Sequence, residues 1–207
     1  EALSPVSFRG AAKAACSLLC YQYGREHRVP VVILRPFHVY GYFEPPSRLI
    51  PAALLSAMRG SLLPLPEREF RRDFVFVEDI VDATIRACRA RLPPGTVINL
   101  GSGRASGVKS IIELVRSVTG REIRTVFGAY PARPWDTDRW AADIRLARKH
   151  LAWSPRHTLR AGIEKTWAWF TENPDVYGPR VEARGPRGSR TLRARWPATP
   201  RAMPIGS

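Results

Sequence analysis

Apolar residues recur along the chain with two distinct periods. Between residues 10 and 27 (GAAKAACSLLCYQYGREH), Ala11, Ala15, Leu18 and Leu19 fall at helical spacing. Pro30 stops any helix there, and Val31-Val32-Ile33-Leu34 is a short unbroken apolar run. Such a run suits a strand buried on both faces of a parallel sheet. A loop through Gly41 and Pro45-Pro46 leads to a second helical pattern over 48–59, closed by Gly60. Asp73 to Val77 predicts a strand, and Glu78 and Asp79 place carboxylates in the first turn of a helix reaching Arg89. Beyond the Pro93-Pro94-Gly95 turn come a strand over Thr96–Leu100, a bend at Gly101-Ser102-Gly103 and a helix over Val108–Thr119, ended by Gly120. Residues 122–127 predict a further strand, 130–138 a loop rich in Pro and Trp, and 143–151 and 158–172 two helices. Strands alternating with helices make the fold class α/β.

After Asn173-Pro174 the periodicity disappears. Residues 179–207 are mostly Arg, Pro, Gly, Ser and Thr, too poor in apolar side chains to offset the entropy of ordering, and are expected to form a basic disordered tail. Residues 180–207 carry +6 of the net +15. Only four of the 33 basic residues are Lys, so the charge reflects an arginine bias and a tail more than a phosphate-binding face, and a nucleic-acid partner is not expected. No apolar run is long enough to span a bilayer, so no membrane association is expected. Three cysteines are too few for a disulfide framework, and Cys16 and Cys20 lack the His or carboxylate company of a metal site. They read as reduced thiols of a cytoplasmic protein, with no metal. The chain opens on Glu1 without a basic-then-apolar leader, which is read as a processed start or a piece of a longer protein.

Gly101-x-Gly103-x-x-x-Gly107 lies between a strand and a helix, but its last gap is one residue too long for the dinucleotide fingerprint. A strand-to-helix turn is the better account. The stronger signal is a set of pieces in fixed order. Lys13 lies in an Ala-rich helix, followed by Leu34-Arg35-Pro36-Phe37-His38-Val39-Tyr40-Gly41 and Leu49-Ile50-Pro51. Then come Arg72-Asp73-Phe74-Val75-Phe76-Val77-Glu78-Asp79-Ile80, Asn99-Leu100-Gly101-Ser102-Gly103, Trp135-Asp136, Ala142-Asp143 and Leu151-Ala152-Trp153-Ser154-Pro155. Over about residues 4–178 this order resembles the C-terminal half of the NAD-dependent epimerase/dehydratase family, extended short-chain dehydrogenases acting on nucleotide sugars.

The resemblance implies the C-terminal part of a Rossmann-type parallel sheet plus a smaller α/β substrate-binding domain over 1–178, with the N-terminal dinucleotide-binding units absent. It implies NAD or NADP as cofactor, a nucleotide-diphosphate sugar as substrate and a homodimeric parent. In the family a Tyr-x-x-x-Lys pair on one helix face moves a proton to or from a sugar hydroxyl, the ammonium favouring the tyrosinate. Lys13 matches the lysine, which also holds the nicotinamide ribose. The position four before it is Arg9, whose guanidinium cannot release a proton. Tyr21, Tyr23 and Tyr40 stand at other spacings.

The resemblance places Pro36 and Phe37 against the cofactor and His38 where relatives carry a substrate-binding Asn. Leu49 and Ile50 take the backbone contacts to base and ribose, and Arg72 and Arg133 bind the diphosphate. Forked guanidinium donors match phosphate oxygens better than an ammonium does. Glu78 and Asp79 are read as helix-start acids, and Trp167, Trp169 and Phe170 as packing. The expected function is that of a fragment of an NAD(P)-dependent nucleotide-sugar epimerase, dehydratase or reductase working through a 4-keto intermediate, impaired as it stands. The alternatives are a non-catalytic dimerising paralogue and a basic nucleic-acid binder using its tail.

Overall fold

A computed structural model of the chain describes Pro5, residues 7–130 and residues 137–177. The first helix, α1 (Phe8–Glu26), begins where the Ser7 hydroxyl accepts the Gly10 amide at 3.1 Å. The chain from residue 32 to 40 is then a single extended run with two partners. Its first part, β1 (Val32–Pro36), pairs in parallel with β6 (Thr96–Leu100), and its second part, β2 (His38–Tyr40), pairs in parallel with β5 (Phe74–Phe76). The change of partner falls on Phe37: its amide donates to Leu100 O (2.9 Å), and the next amide, of His38, donates to Asp73 O (3.0 Å).

The helices α2 (Leu49–Arg59) and α4 (Val108–Thr119) both end on glycines in the left-handed region, Gly60 (φ 65°) and Gly120 (φ 64°). α3 (Val77–Arg89) follows β5 directly, and α5 (Arg145–Leu151) and α6 (Leu159–Glu172) complete the helical layers before a 3₁₀ turn at Pro174–Tyr177. The remaining strands are β3 (Leu63–Pro66), parallel to β8 (Thr125–Tyr130), and β4 (Arg71–Arg72), which lies between antiparallel β7 (Ser106–Gly107) and parallel β9 (Arg139–Trp140).

Two apolar cores divide the molecule. One gathers Tyr40, Ile50, Leu54, Phe76, Ile111, Val115, Ile163 and Phe170 between α2, α4 and α6. The other gathers Val75, Ile98, Leu100, Ala147 and Trp153 between the β1–β6 pair, α3 and α5. Asp73 stands between β4 and β5 and is wholly buried. Its carboxylate accepts Ser102 N (2.7 Å), Ser102 Oγ (2.5 Å), Gly103 N (2.9 Å) and Ala142 N (2.9 Å). The loop after β6 and the segment leading to α5 are therefore held on one carboxylate. Gly101 is required beside it, because a Cβ there would come within 2.7 Å of Asp73 Oδ2 and 2.6 Å of Ala142 Cβ. Asp79, also buried, accepts the Arg156 amide (3.0 Å), the His157 amide (3.2 Å) and the His157 ring at Nδ1 (3.0 Å). It ties the chain before α6 to α3.

Several expectations need correcting. The dinucleotide-binding part of the fold was expected to be absent, yet a Rossmann-like alternation of helices with parallel strands begins at α1 and runs on to α6. The pairing of β1 with β6 and of β2 with β5 requires helical crossovers, and these are in place. β2, β3, β4, β7 and β9 escaped the periodicity: β3 is Leu-Pro-Leu-Pro, and the others are two or three residues long. Asp79 does more than face a helix dipole, since its carboxylate is consumed by Arg156 and His157. On α1 the apolar stripe stays outside the cores, with Leu18 60% and Leu19 69% exposed. The proposed tail, 179–207, lies outside the described residues. Among the described residues no helix is long and apolar enough to cross a membrane.

A buried carboxylate with four donors becomes costly when one oxygen turns into a donor. Asp73→Asn is expected to lower unfolding stability by about 2–4 kcal/mol, measured by urea denaturation. A loss under about 1 kcal/mol would show that the two cores do not depend on this residue.

Candidate functional site

The 32–40 run changes partner just beyond the carboxyl end of β1, the place where open α/β sheets form their crevice. Ligands of open α/β sheets bind at such places. Pro36 is exposed at its edge, and Phe37 and His38 are half-buried within it. The parallel register of β4 with β9 sets Trp140 beside Arg72. The Trp140 ring meets Phe37 edge-on at 6.1 Å and His38 at 6.4 Å, and the His38 ring lies 5.8 Å from Phe74. Trp140 keeps 56% of its surface exposed and so forms an open aromatic wall. No reading of the sequence picked it out, because it joins the group only through the β4–β9 pairing.

Arg72 lies within electrostatic range of this wall. Its Nη1 donates to Thr137 O (2.7 Å) and Arg71 O (3.1 Å), and its guanidinium lies 5.0 Å over the Phe70 ring. Burial pushes the His38 imidazole down to about 4, helped by the charges of Arg72 and then Arg48, against a smaller upward pull from Asp73. His38 is thus neutral at physiological pH, and its Nδ1 is buried without a hydrogen-bond partner among the described residues. A neutral imidazole offers one donor and one acceptor, which suits a sugar hydroxyl.

The other expected site residues are distributed as follows. Leu49 and Ile50 open α2; Ile50 is 1% exposed and its side chain belongs to the core, leaving only backbone for a ligand. Arg48 precedes them, and no side chain caps the helix start. Lys13 is exposed on α1, where its carbonyl accepts Ser17 Oγ at 3.1 Å. Arg133 lies outside the described residues, as do Trp135 and Asp136. The structure therefore groups Pro36, Phe37, His38 and Arg72, while Lys13 and the start of α2 stand on separate elements. No group of three or more potential metal ligands occurs among the described residues.

Tyr21 and Tyr40, at other spacings from Lys13, are otherwise engaged, as is Tyr42. Tyr40 is buried, its hydroxyl donates to Leu159 O at 3.2 Å, and burial raises its pKa further above the ordinary value. The Tyr42 hydroxyl donates to Glu78 Oε1 at 3.0 Å; burial and that carboxylate push it up to about 12. Tyr21 accepts from Arg25 on the surface of α1. The glycine loop at 101–107 is likewise committed, since the Ser102 and Gly103 amides that would meet a pyrophosphate are bound to Asp73.

Residues 1–101 match the NAD dependent epimerase/dehydratase family. A trifunctional UDP-glucose 4,6-dehydratase/UDP-4-keto-6-deoxy-D-glucose 3,5-epimerase/UDP-4-keto-L-rhamnose-reductase of Arabidopsis thaliana is 30% identical over 177 residues, covering 85% of this chain and 26% of its own. Among solved structures, an epimerase from Methanothermobacter thermautotrophicus superposes with a TM-score of 0.74 at 30% identity, over 83% of this chain and 52% of its own. MoeE5, solved with UDP-glucose and NAD, gives 0.76 at 27% identity, over 83% and 57%. The chain spans from about a quarter to just over half the length of the relatives it matches.

These likenesses correct one further expectation: the family match falls on residues 1–101, the N-terminal half of this chain. The similarity to the relatives named above runs over 83–85% of this chain.

His38 ionises at 6.5 in an unfolded chain and at about 4 in the fold, so between these values the unfolded chain holds more protons. Stability present above pH 6.5 is therefore lost as pH falls towards 4. His38→Asn is expected to remove about 1–2 kcal/mol of the stability difference between about pH 7 and pH 4.5, read from urea midpoints. An equal acid loss in wild type and variant would show that His38 is not the group responsible.

Proposed function

We propose that the protein is an NAD(P)-dependent nucleotide-sugar epimerase or dehydratase. The observation that carries this reading is the grouping of Phe37, His38, Trp140 and Arg72 at the partner switch of the 32–40 run. There an aromatic wall and a neutral imidazole stand beside the strand that carries Arg72. A sugar ring stacks on apolar and aromatic faces, its hydroxyls need neutral donors and acceptors, and its diphosphate needs a fork of N–H groups.

NAD(P) fits the residues at the edge of this crevice. Pro36 and Phe37 would hold a planar ring, and the exposed Lys13 of α1 would supply an ammonium for the ribose hydroxyls. The bound cofactor would supply a reversible hydride acceptor. Lys13 contributes a positive charge that favours loss of a proton from a neighbouring hydroxyl. Arg9 cannot take part in that transfer. Arg72, joined by Arg133, neutralises the diphosphate, and the free amides of the first turn of α2 at Leu49 and Ile50 face base and ribose. His38 orients the sugar.

Isothermal titration with UDP-glucose tests the site. Arg72→Ala is expected to weaken binding by about ten- to a hundredfold. With NAD(P) added, Lys13→Met should lower turnover by about a hundredfold or more while leaving UDP-glucose affinity within twofold. Unchanged affinity in the first variant, or unchanged turnover in the second, would remove that residue from the site.

The same reading makes the protein a cytoplasmic homodimer. A reducing compartment suits its three free thiols. Phe8, Leu18 and Leu19 form an apolar face on α1 that a second copy would cover. Light scattering is expected to give twice the 23.2 kDa chain mass, and Leu19→Glu to give the single-chain mass. A wild-type protein of single-chain mass would end the dimer assignment.

A further inference from the structure

A groove between the β2–α2 loop and α3 is lined by Tyr42, Phe43, Val77, Glu78 and Val81, none of which the nucleotide-sugar site uses, and holds about 280 Å³. A close approach sets its shape. Gly41 sits at φ 138°, where a Cβ would come within 2.7 Å of Val77 Cγ1, so the loop lies directly on the first turn of α3. Phe43 follows in a left-handed conformation at φ 58°. Its side chain is left 73% exposed, and that of Val81 53%. Two apolar side chains in one groove stay against water unless something covers them.

The walls define the chemistry of that cover. Tyr42 and Phe43 contribute aromatic rings, and Glu78 contributes a carboxylate. Glu78 accepts the Tyr42 hydroxyl at Oε1 (3.0 Å) and the Lys165 ammonium at Oε2 (2.7 Å). A carboxylate oxygen accepts more than one donor, so Oε1 keeps a lone pair for another. The charges acting on the Tyr42 hydroxyl, Glu78 and Glu172, are both negative. Rings beside a carboxylate suit a guanidinium, which stacks on an aromatic face and forks onto carboxylate oxygens.

The chain carries guanidinium groups to this place. The described residues end at Tyr177, whose hydroxyl donates to Glu44 O (2.9 Å) in the same loop. Its ring lies 6.3 Å from Trp169, and Trp169 in turn meets Phe43 at 4.8 Å and Tyr42 at 5.6 Å. One ring thus separates Tyr177 from the groove. Residues 178–207 follow, outside the described residues, and 180–207 hold seven Arg and one acid. Arg180 and Arg184 come three and seven residues after Tyr177. An extended chain advances about 3.3 Å per residue, so both can cross that ring. So short a tether holds them at an effective concentration of about millimolar.

We propose that residues 178–184 of this same chain fold back over the groove, with the guanidinium of Arg180 or Arg184 resting on the Phe43 ring and pairing with Glu78. The basic segment is then an intramolecular strap that joins the β2–α2 loop to α3. Its hold is a stacked cation and an ion pair at the surface, so salt weakens it.

Trypsin cuts after arginine only where the chain is free to enter its cleft, and the full chain carries its own control. At low salt, cleavage after Arg180 and Arg184 is expected to be about three- to tenfold faster in Phe43→Asn than in the wild type, while cleavage after Arg193 and Arg195 proceeds equally in both. Asn accepts the left-handed conformation, so the loop keeps its shape. Glu78→Gln should speed the same two cuts, and high salt should abolish the difference between wild type and variants. Equal rates after Arg180 and Arg184 in the wild type and Phe43→Asn would overturn the proposal. Protection that grows with protein concentration would overturn it too, because the cover would then come from a second copy.

Discussion

The buried carboxylate of Asp73 is the constraint from which the rest of the arrangement follows. A charge with no solvent contact persists only where donors surround it, and Asp73 finds four, from Ser102, Gly103 and Ala142. Those donors belong to segments 29 to 69 residues away in sequence. Satisfying one charge therefore draws together the loop after β6 and the approach to α5. The carbonyl of the same residue accepts the His38 amide, which fixes the point where the 32–40 run turns from one partner strand to the other. A structural requirement and the position of the crevice share one residue.

The crevice owes its chemical character to unequal environments. His38 and Glu44 lie a few residues apart, and burial shifts both towards the uncharged state, the imidazole by losing a proton and the carboxyl by keeping one. Arg72 and Arg48 remain charged beside them. The result is two cations beside neutral hydrogen-bonding groups and aromatic rings. Asp79 and Glu78 serve a different end. Asp79 anchors the start of α6, and Glu78 is held ionised by Lys165, which donates at 2.7 Å.

Much of the fold was legible in the residues because local rules and tertiary packing agree. Val31 to Leu34 reads as a buried strand and is one; Gly60 and Gly120 end helices where their freedom at positive φ predicts. Pro36, Phe37, His38 and Arg72 were picked out by their order in the chain; Phe37 and His38 meet Trp140, and the strand of Trp140 pairs with that of Arg72. The glycine loop at 101–107 was read as a turn, and the hold of Asp73 on its amides gives the reason.

Local pattern therefore determined the helices, the longer strands and the charged candidates, since each depends on neighbours within a few residues. Only the tertiary structure decided that Trp140 stands beside His38, that Ile50 is core and that the apolar stripe of α1 faces outward. Those facts depend on which distant segments meet. Two-residue strands such as β4 and β9 carry no periodicity of their own and exist because Asp73 and its donors hold their neighbours in place.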